Sequence, residues 1–215
     1  MTKLSKRLLA VTSYVELEDV LADIGCDHGL TSIFLCENYL CKKIICSDIN
    51  ENALQNAKDN IKKRNLKIET ILSDGINNID LEDINALIIT GMGTKTILHI
   101  LEDDKKLTKI NKLIIQSNND YDILRQQLNN KGFYLENEIY TFDKGKWYIT
   151  MKYLHNHKKN TSKEIKYGYL NNKAYNEYIL NKQKEIFKKI PWFKISKRIK
   201  MYFDYQKLKK AIRQS

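Results

Sequence analysis

Five short runs constrain this chain more than any other feature: "DVLADI" (19–24), "KKIICSD" (42–48), "LKIETIL" (66–72), "INALIIT" (84–90) and "INKLIIQS" (110–117). Each is rich in β-branched residues and largely apolar at successive positions. Strands covered on both faces read this way, whereas half-exposed strands alternate. Between them, 28–38, 50–64, 93–103 and 119–131 read as helices. Asp48 and Asn50 precede one of these helices, and Ser117 to Asp120 precede another, where caps belong. Two further strands, 133–142 and 145–154, flank "FDKGKW", whose Asp-x-Gly predicts a tight hairpin. Residues 1–154 therefore read as an α/β domain: a doubly wound, mostly parallel sheet with an antiparallel edge hairpin.

The pattern changes near residue 160. One helix is predicted over about 162–189, interrupted by the chain's only proline, Pro191, and a second over about 192–212. Tyr175, Tyr178, Ile179 and Ile186 recur on one face of the first. Ile195, Ile199, Tyr202 and Ile212 recur on one face of the second. The expectation for 155–215 is an antiparallel, coiled-coil-like helical hairpin with an aromatic seam packed between its helices.

Charge separates the same two parts. The net charge is +11, yet residues 1–154 hold 20 Lys and Arg against 22 Asp and Glu, and residues 155–215 hold 17 against 4. A coding bias toward lysine would act on both parts, so the basic tail predicts an anionic partner. Lys188, Lys189, Lys194, Lys197 and Arg198 are its candidate phosphate contacts, with Lys3, Lys6 and Arg7 on a predicted N-terminal helix. That helix, in "MTKLSKRLLAVTSYV", carries basic residues inside its apolar run and no A-x-A site follows. It reads as amphipathic rather than as a signal peptide, and the protein as cytoplasmic. No uninterrupted apolar stretch reaches about 18 residues, so no membrane span is expected. Cys26, Cys36, Cys41 and Cys46 form no C-x-x-C and have no His close behind. They read as reduced, mostly buried thiols, with no metal site.

The first strand runs into "LADIGCDHGL". Open parallel sheets bind ligands at the carboxyl ends of their strands. Gly25 permits a sharp turn and a close approach to the backbone, and the helix beginning near Gly29 offers free N–H groups to an anion. A dinucleotide site would want G-x-G-x-x-G, whereas this chain has G-x-x-x-G with Asp23 two residues ahead. S-adenosylmethionine fits better. Asp23 and Asp27 suit its cationic amine and sulfonium, and the helix start with His28 suits its carboxylate. Asp48 in "CSDIN" suits the ribose hydroxyls, with Ile49 beside the adenine. Asp74, ahead of Gly75 in "LSDGI", suits the adenine amino group. In "ITGMGTKT", Gly91 and Met92 sit where a flat target base would meet the donor, and together with Asp27 they are candidate reaction-centre residues.

Missing residues narrow the chemistry. An N/D-P-P-Y turn for exocyclic amines is impossible with Pro191 as the sole proline, and no Cys nucleophile lies beyond residue 46. No lysine-based proton acceptor for ribose methylation can be assembled. A ring nitrogen remains, which already offers a lone pair at neutral pH and requires mainly alignment and charge stabilisation.

"LSKRLLAVTSYV", "LADIGCDH", "ITGMG", "LIIQSN" and "GKWYITM", in that order over about residues 4–154, resemble the bacterial tRNA adenosine-22 N1-methyltransferases. The tail resembles theirs in type and position. Departures from the family pattern are "DHGLTS" for "DHAYLP", Thr94 where a Gly is common after "GMG", and Ser117 where the family has Pro. The resemblance implies a class I (Rossmann-like) methyltransferase fold, S-adenosylmethionine as donor, tRNA as substrate and no obligate protein partner. It also implies Gln116, Asn118 and Tyr148 as candidates for the base pocket, with Asn118 at the adenine edge and Tyr148 on its face. Modification of another ring nitrogen, a small-molecule methyltransferase, a Rossmann oxidoreductase and a non-enzymatic RNA-binding protein are the alternatives. The first two share the cofactor residues. A small-molecule enzyme does not require the basic tail, an oxidoreductase requires the missing glycine pattern, and a pure RNA binder has no use for three strand-end carboxylates.

Overall fold

The computed structural model describes residues 2–215. Helix α1 (Lys6–Thr12) leads into β1 (Val20–Ile24), α2 (Leu30–Glu37), β2 (Lys43–Asp48), α3 (Glu51–Lys62), β3 (Glu69–Leu72) and β4 (Ala86–Met92). Next come α4 (Thr94–Ile100), α5 (Asp104–Leu107), β5 (Lys112–Ser117), α6 (Tyr121–Asn130), β6 (Phe133–Asp143) and β7 (Lys146–His155). The seven strands form one sheet in the order β3-β2-β1-β4-β5-β7-β6. Strands β1 to β5 pair in parallel, and β7 pairs antiparallel with both β5 and β6. The order reverses direction between β1 and β4, so the carboxyl ends of those two strands border the crevice where such sheets take ligands.

The apolar runs explain the layering. Leu21, Ile88 and Ile114 share one buried cluster with Ile33 of α2 and with Leu54, Ala57 and Ile61 of α3. Leu87, Ile89, Leu113 and Ile115 point the other way by strand alternation and are equally buried, as are Ile97 of α4 and Leu124 and Leu128 of α6. Helix α6 is tied to β6 by the buried Arg125, whose Nε and Nη2 donate to Glu138 Oε1 at 2.9 and 2.6 Å. The edge hairpin turns on Lys144 and Gly145, both at positive φ (47° and 79°), between paired Asp143 and Lys146. Two such residues suit the right-handed strand twist.

Local chemistry departs from the sequence expectations in several places. The third strand shortens to Glu69–Leu72, and α5 was not anticipated. Asn50 caps α3, its Oδ1 accepting from Asn52 N (2.9 Å) and Ala53 N (3.2 Å), whereas Asp48 turns back to other partners. Asp120 occupies the cap position of α6 without a side-chain cap bond. Cys26 and Cys46 are buried, while Cys36 and Cys41 are only half-buried. Burial pushes the Cys41 thiol up to about 11.

The chain divides into two compact units between Lys159 and Asn160. In the second, the helix expected over 162–189 is two helices, α7 (Ser162–Tyr167) and α8 (Lys173–Lys189). Gly168 ends the first at φ 73°, ψ −160°, a conformation that only glycine adopts freely, and Leu170 follows at φ 54°. Helix α9 spans Ile195–Arg213. Ile179 and Leu180 pack with Leu208 and Ile212, while Phe187 lies under the Arg198 guanidinium at 4.4 Å. Late α8 thus meets early α9, so the two run antiparallel. The seam is not the expected one: Tyr175 is buried, but Tyr178, Ile186, Ile195, Ile199 and Tyr202 are exposed. Ile179 and Ile212 of the expected stripes do join the seam, but Leu208 and Ala211 fill the buried positions of α9.

Candidate active site

Chain reversals after β1 and β4 build the site. Gly25, at φ 70°, lets its own N–H and that of Cys26 both donate to Ser47 O on β2, at 2.8 and 2.9 Å. A side chain at Gly25 would collide with the end of the Met92 side chain, so this stretch of backbone stays bare. Asp27 also sits at positive φ (51°), and Gly29, at 67°, opens α2. On the facing side β4 breaks register between Thr90 and Met92, with Gly91 at φ 78° and open space where its side chain would be. The result is a cavity of about 460 Å³ at the carboxyl ends of β1, β2 and β4, within the ordinary range for small-molecule sites.

Nearly all the expected cofactor residues line it: Asp23, Gly25, Asp27, His28, Asp48, Ile49, Asp74, Gly75 and Gly91, along with Met92. Gly29 does not; it packs against Ala57 of α3. Asp23 is 3% exposed and accepts a 2.7 Å hydrogen bond from Ser32 Oγ. Burial raises its carboxyl to about 6, the Ser32 bond pulling it down and the charge of Asp48 pushing it up. The Asp48 carboxylate is held by two backbone donors, Asp27 N on Oδ2 (3.0 Å) and Asn50 N on Oδ1 (2.9 Å). Asp27 and His28 are exposed at the rim, 3.7 Å apart. Asp74 is exposed on a turn that Ser73 knits together, donating to Gly75 O and accepting from Asn78 N.

The target-base candidates fare differently. Asn118 is no helix cap. Its Nδ2 donates to Gly91 O at 2.7 Å and its backbone N–H to Met92 O at 2.9 Å, which sets it against the lip of the cavity with Oδ1 as its remaining acceptor. Gln116 cannot read a base. It is 1% exposed, its Oε1 accepts from Arg7 Nη1 (3.1 Å), and its Nε2 donates to Thr150 Oγ1 (2.8 Å) and Arg7 O. Tyr148 is half-buried, with Arg7 Cζ at 5.5 Å and Lys146 Nζ at 5.4 Å from its ring centre. Arg7 is therefore not a free surface charge on α1: it lines the cavity, bridging Gln116 and Tyr148. Nothing in the residue pattern signals this, because the contact depends on how α1 docks.

Thr94, Ser117 and Asn119 were also missed as a group. Thr94 Oγ1 and Ser117 Oγ lie 2.9 Å apart, and Asn119 Oδ1 accepts from Thr94 N at 3.0 Å. Two of the positions that depart from the resembled pattern thus bond each other and join the start of α4 to the end of β5.

Among the proposed phosphate contacts, Lys3, Lys6, Lys188, Lys189, Lys194 and Lys197 are exposed. Arg198 is half-buried and donates to Ile190 O at 2.8 Å, so it braces the hairpin instead.

Comparison with known proteins agrees with this geometry. Residues 4–151 match the sequence family described as a methyltransferase domain. The tRNA (adenine(22)-N(1))-methyltransferase of Bacillus subtilis is 34% identical over 149 residues, 68% of this chain. The chain spans 63% of that protein's length. A Streptococcus agalactiae protein of the NADB-Rossmann superfamily superposes with TM-score 0.88 at 31% identity, over 98% of this chain and 97% of that one. TrmK of M. capricolum, solved with the cofactor product S-adenosyl-homocysteine, gives 0.84 at 29% identity over 97% of both chains.

Proposed function

The chain belongs to the methyltransferase-domain family, and from that premise we propose that it methylates N1 of adenosine 22, in the D-arm region of tRNA, with S-adenosylmethionine as donor. The observation that carries the reading is the set of three carboxylates, Asp23, Asp48 and Asp74, beside the ends of three successive strands around one cavity. The residues fit that cofactor. Asp23 is a buried carboxyl whose hydrogen bond comes from a neutral hydroxyl, so a cationic neighbour would stabilise its charged form. Asp48, fixed by two backbone donors, keeps lone pairs for a pair of ribose hydroxyls. Ile49, 66% exposed, offers a flat apolar surface to adenine, with Asp74 as acceptor for its amino group. When bound, S-adenosylmethionine supplies a methyl group activated by positively charged sulfur.

The chain's own contribution is alignment. A ring nitrogen brings its own lone pair, so no strong base is required. Asn118 Oδ1 accepts from the adenine amino group while its Nδ2 is held by Gly91 O. That contact strengthens as the ring gains positive charge. Tyr148 and Arg7 form the wall against which the base and its phosphate rest. The named activity of the Bacillus subtilis relative supports the choice of substrate. A tRNA substrate places the protein's work in the cytoplasm. Among the described residues no helix is long and apolar enough to cross a membrane.

The test is transfer of a labelled methyl group to unmodified tRNA transcripts. Label should enter a transcript with adenosine at position 22 and fail to enter the same transcript with guanosine there. Equal labelling of both would reject the target.

A further inference from the structure

We infer that the tip of the α8–α9 hairpin, with the groove behind it, holds unpaired nucleobases by aromatic stacking. The inference rests on the reading of RNA as substrate and specifies how this second unit engages it. Trp192 and Phe193, 80% and 63% exposed, stand at the turn with ring centres 6.1 Å apart and nearly edge-to-face. Their backbone is braced: Ile190 is buried, Arg198 Nη1 donates to Ile190 O at 2.8 Å, and Lys194 N donates to Pro191 O at 3.0 Å. Two large rings held outward on a braced turn lose little freedom on binding, which favours affinity.

Behind the tip lies an open, apolar groove of about 290 Å³ floored by Phe187, Met201, Tyr202 and Tyr205 and flanked by Lys184 and Lys188. Its exposed lining is almost entirely apolar. From Ile186 to Phe203 the chain carries six Lys and Arg and no Asp or Glu.

A nucleotide with an unstacked base matches these features. Its π face suits the exposed rings and the aromatic groove, and its phosphate suits the lysines. A lipid surface would satisfy the lysines and the Trp, but the groove is walled by the flat rings of Phe187, Tyr202 and Tyr205, which suit a base better than an acyl chain. A second copy of this chain would set six like charges against six.

The test uses the full-length protein, an unmodified tRNA transcript, a short single-stranded RNA and its duplex, with affinities measured across a salt series. The double variant Trp192→Ala/Phe193→Ala should bind tRNA and single-stranded RNA about tenfold more weakly, as expected for a lost base–aromatic stack. Its slope of log affinity against log salt should be unchanged, and Trp192→Phe/Phe193→Tyr should restore binding. Lys189→Gln and Lys194→Gln should instead flatten the slope, by about 0.7–0.9 per lost phosphate contact. Wild-type affinity in the double variant would overturn the inference. So would tip-dependent binding to phosphatidylglycerol vesicles without tip-dependent RNA binding, or a dimer that the double variant abolishes. Methyl transfer, assayed in parallel, separates the two readings. Tip-dependent RNA binding without transfer would sink only the catalytic proposal, and transfer with a neutral tip would sink only this one.

Discussion

At the scale of single residues, the two inner carboxylates make opposite predictions. Asp48 is already held by Asp27 N and Asn50 N, so its loss removes an acceptor from the cofactor and loosens the turn that presents it. Asp48→Ala should weaken S-adenosylmethionine binding by about 1–3 kcal/mol in calorimetry, and unchanged affinity would remove the ribose assignment. Asp23 is governed by pH. Its carboxyl is raised from an ordinary 3.8 to about 6, chiefly by burial. The folded state therefore takes up the proton more readily than the unfolded chain. The stability this confers is fully present below about pH 4 and is lost as pH rises through about 6. Cofactor binding runs the other way, because a cationic ligand favours the ionised carboxylate. Affinity should fall as pH drops below about 6, and Asp23→Asn should bind weakly at every pH with that dependence gone. A wild-type profile that is flat from pH 5 to 8 would show that Asp23 does not face the positive charge. Both carboxylates stood out in the sequence because an acid at the end of an apolar strand run is legible without coordinates, Asp23 two residues ahead of Gly25 and Asp48 closing "KKIICSD". Both are buried, and the partners that separate them, a neutral Ser32 hydroxyl on Asp23 and two backbone donors on Asp48, are not legible there.

At the scale of elements, the strands were readable because burial on both faces imposes long apolar runs, and "INALIIT" and "INKLIIQS" became the paired centre of the sheet. Helix docking was not readable. Spacing marked Ile195, Ile199 and Tyr202 as a packed face of α9, yet all three are exposed. The same gap hid Arg7, which looked like one more lysine-rich surface charge. On α1 it donates to Gln116 Oε1 at 3.1 Å and lies over Tyr148, anchoring the helix to β5 and β7 at the cleft. Arg7→Ala would leave a buried amide oxygen without a donor, at a cost of about 1–3 kcal/mol. Lys6, exposed on the same helix, should tolerate the same change within about 0.5 kcal/mol. Thermal unfolding of the two variants compares them directly, and equal midpoints would mean that Arg7 does not anchor α1.

At the scale of the whole molecule, the cofactor-site residues and the excess positive charge fall in different units. The cavity and its three carboxylates belong to the unit ending at Lys159, and most of the excess positive charge lies beyond it. Ending the chain at Lys159 should leave S-adenosylmethionine affinity within about twofold, sharply reduce tRNA affinity and turnover, and make the remaining binding only weakly salt-dependent. Truncated protein that bound and methylated tRNA as well as the intact chain would reduce the hairpin to a solvated arm. The central claim concerns where the methyl group goes. A methyl group on N1 occupies the pairing edge of adenine, so reverse transcription of treated tRNA should halt one nucleotide before position 22. The stop should require both the protein and S-adenosylmethionine, and mass spectrometry of the same nucleoside should show one added methyl group. Read-through at position 22 together with a methyl group mapped to another nucleotide, or to a position off the pairing edge, would contradict the account.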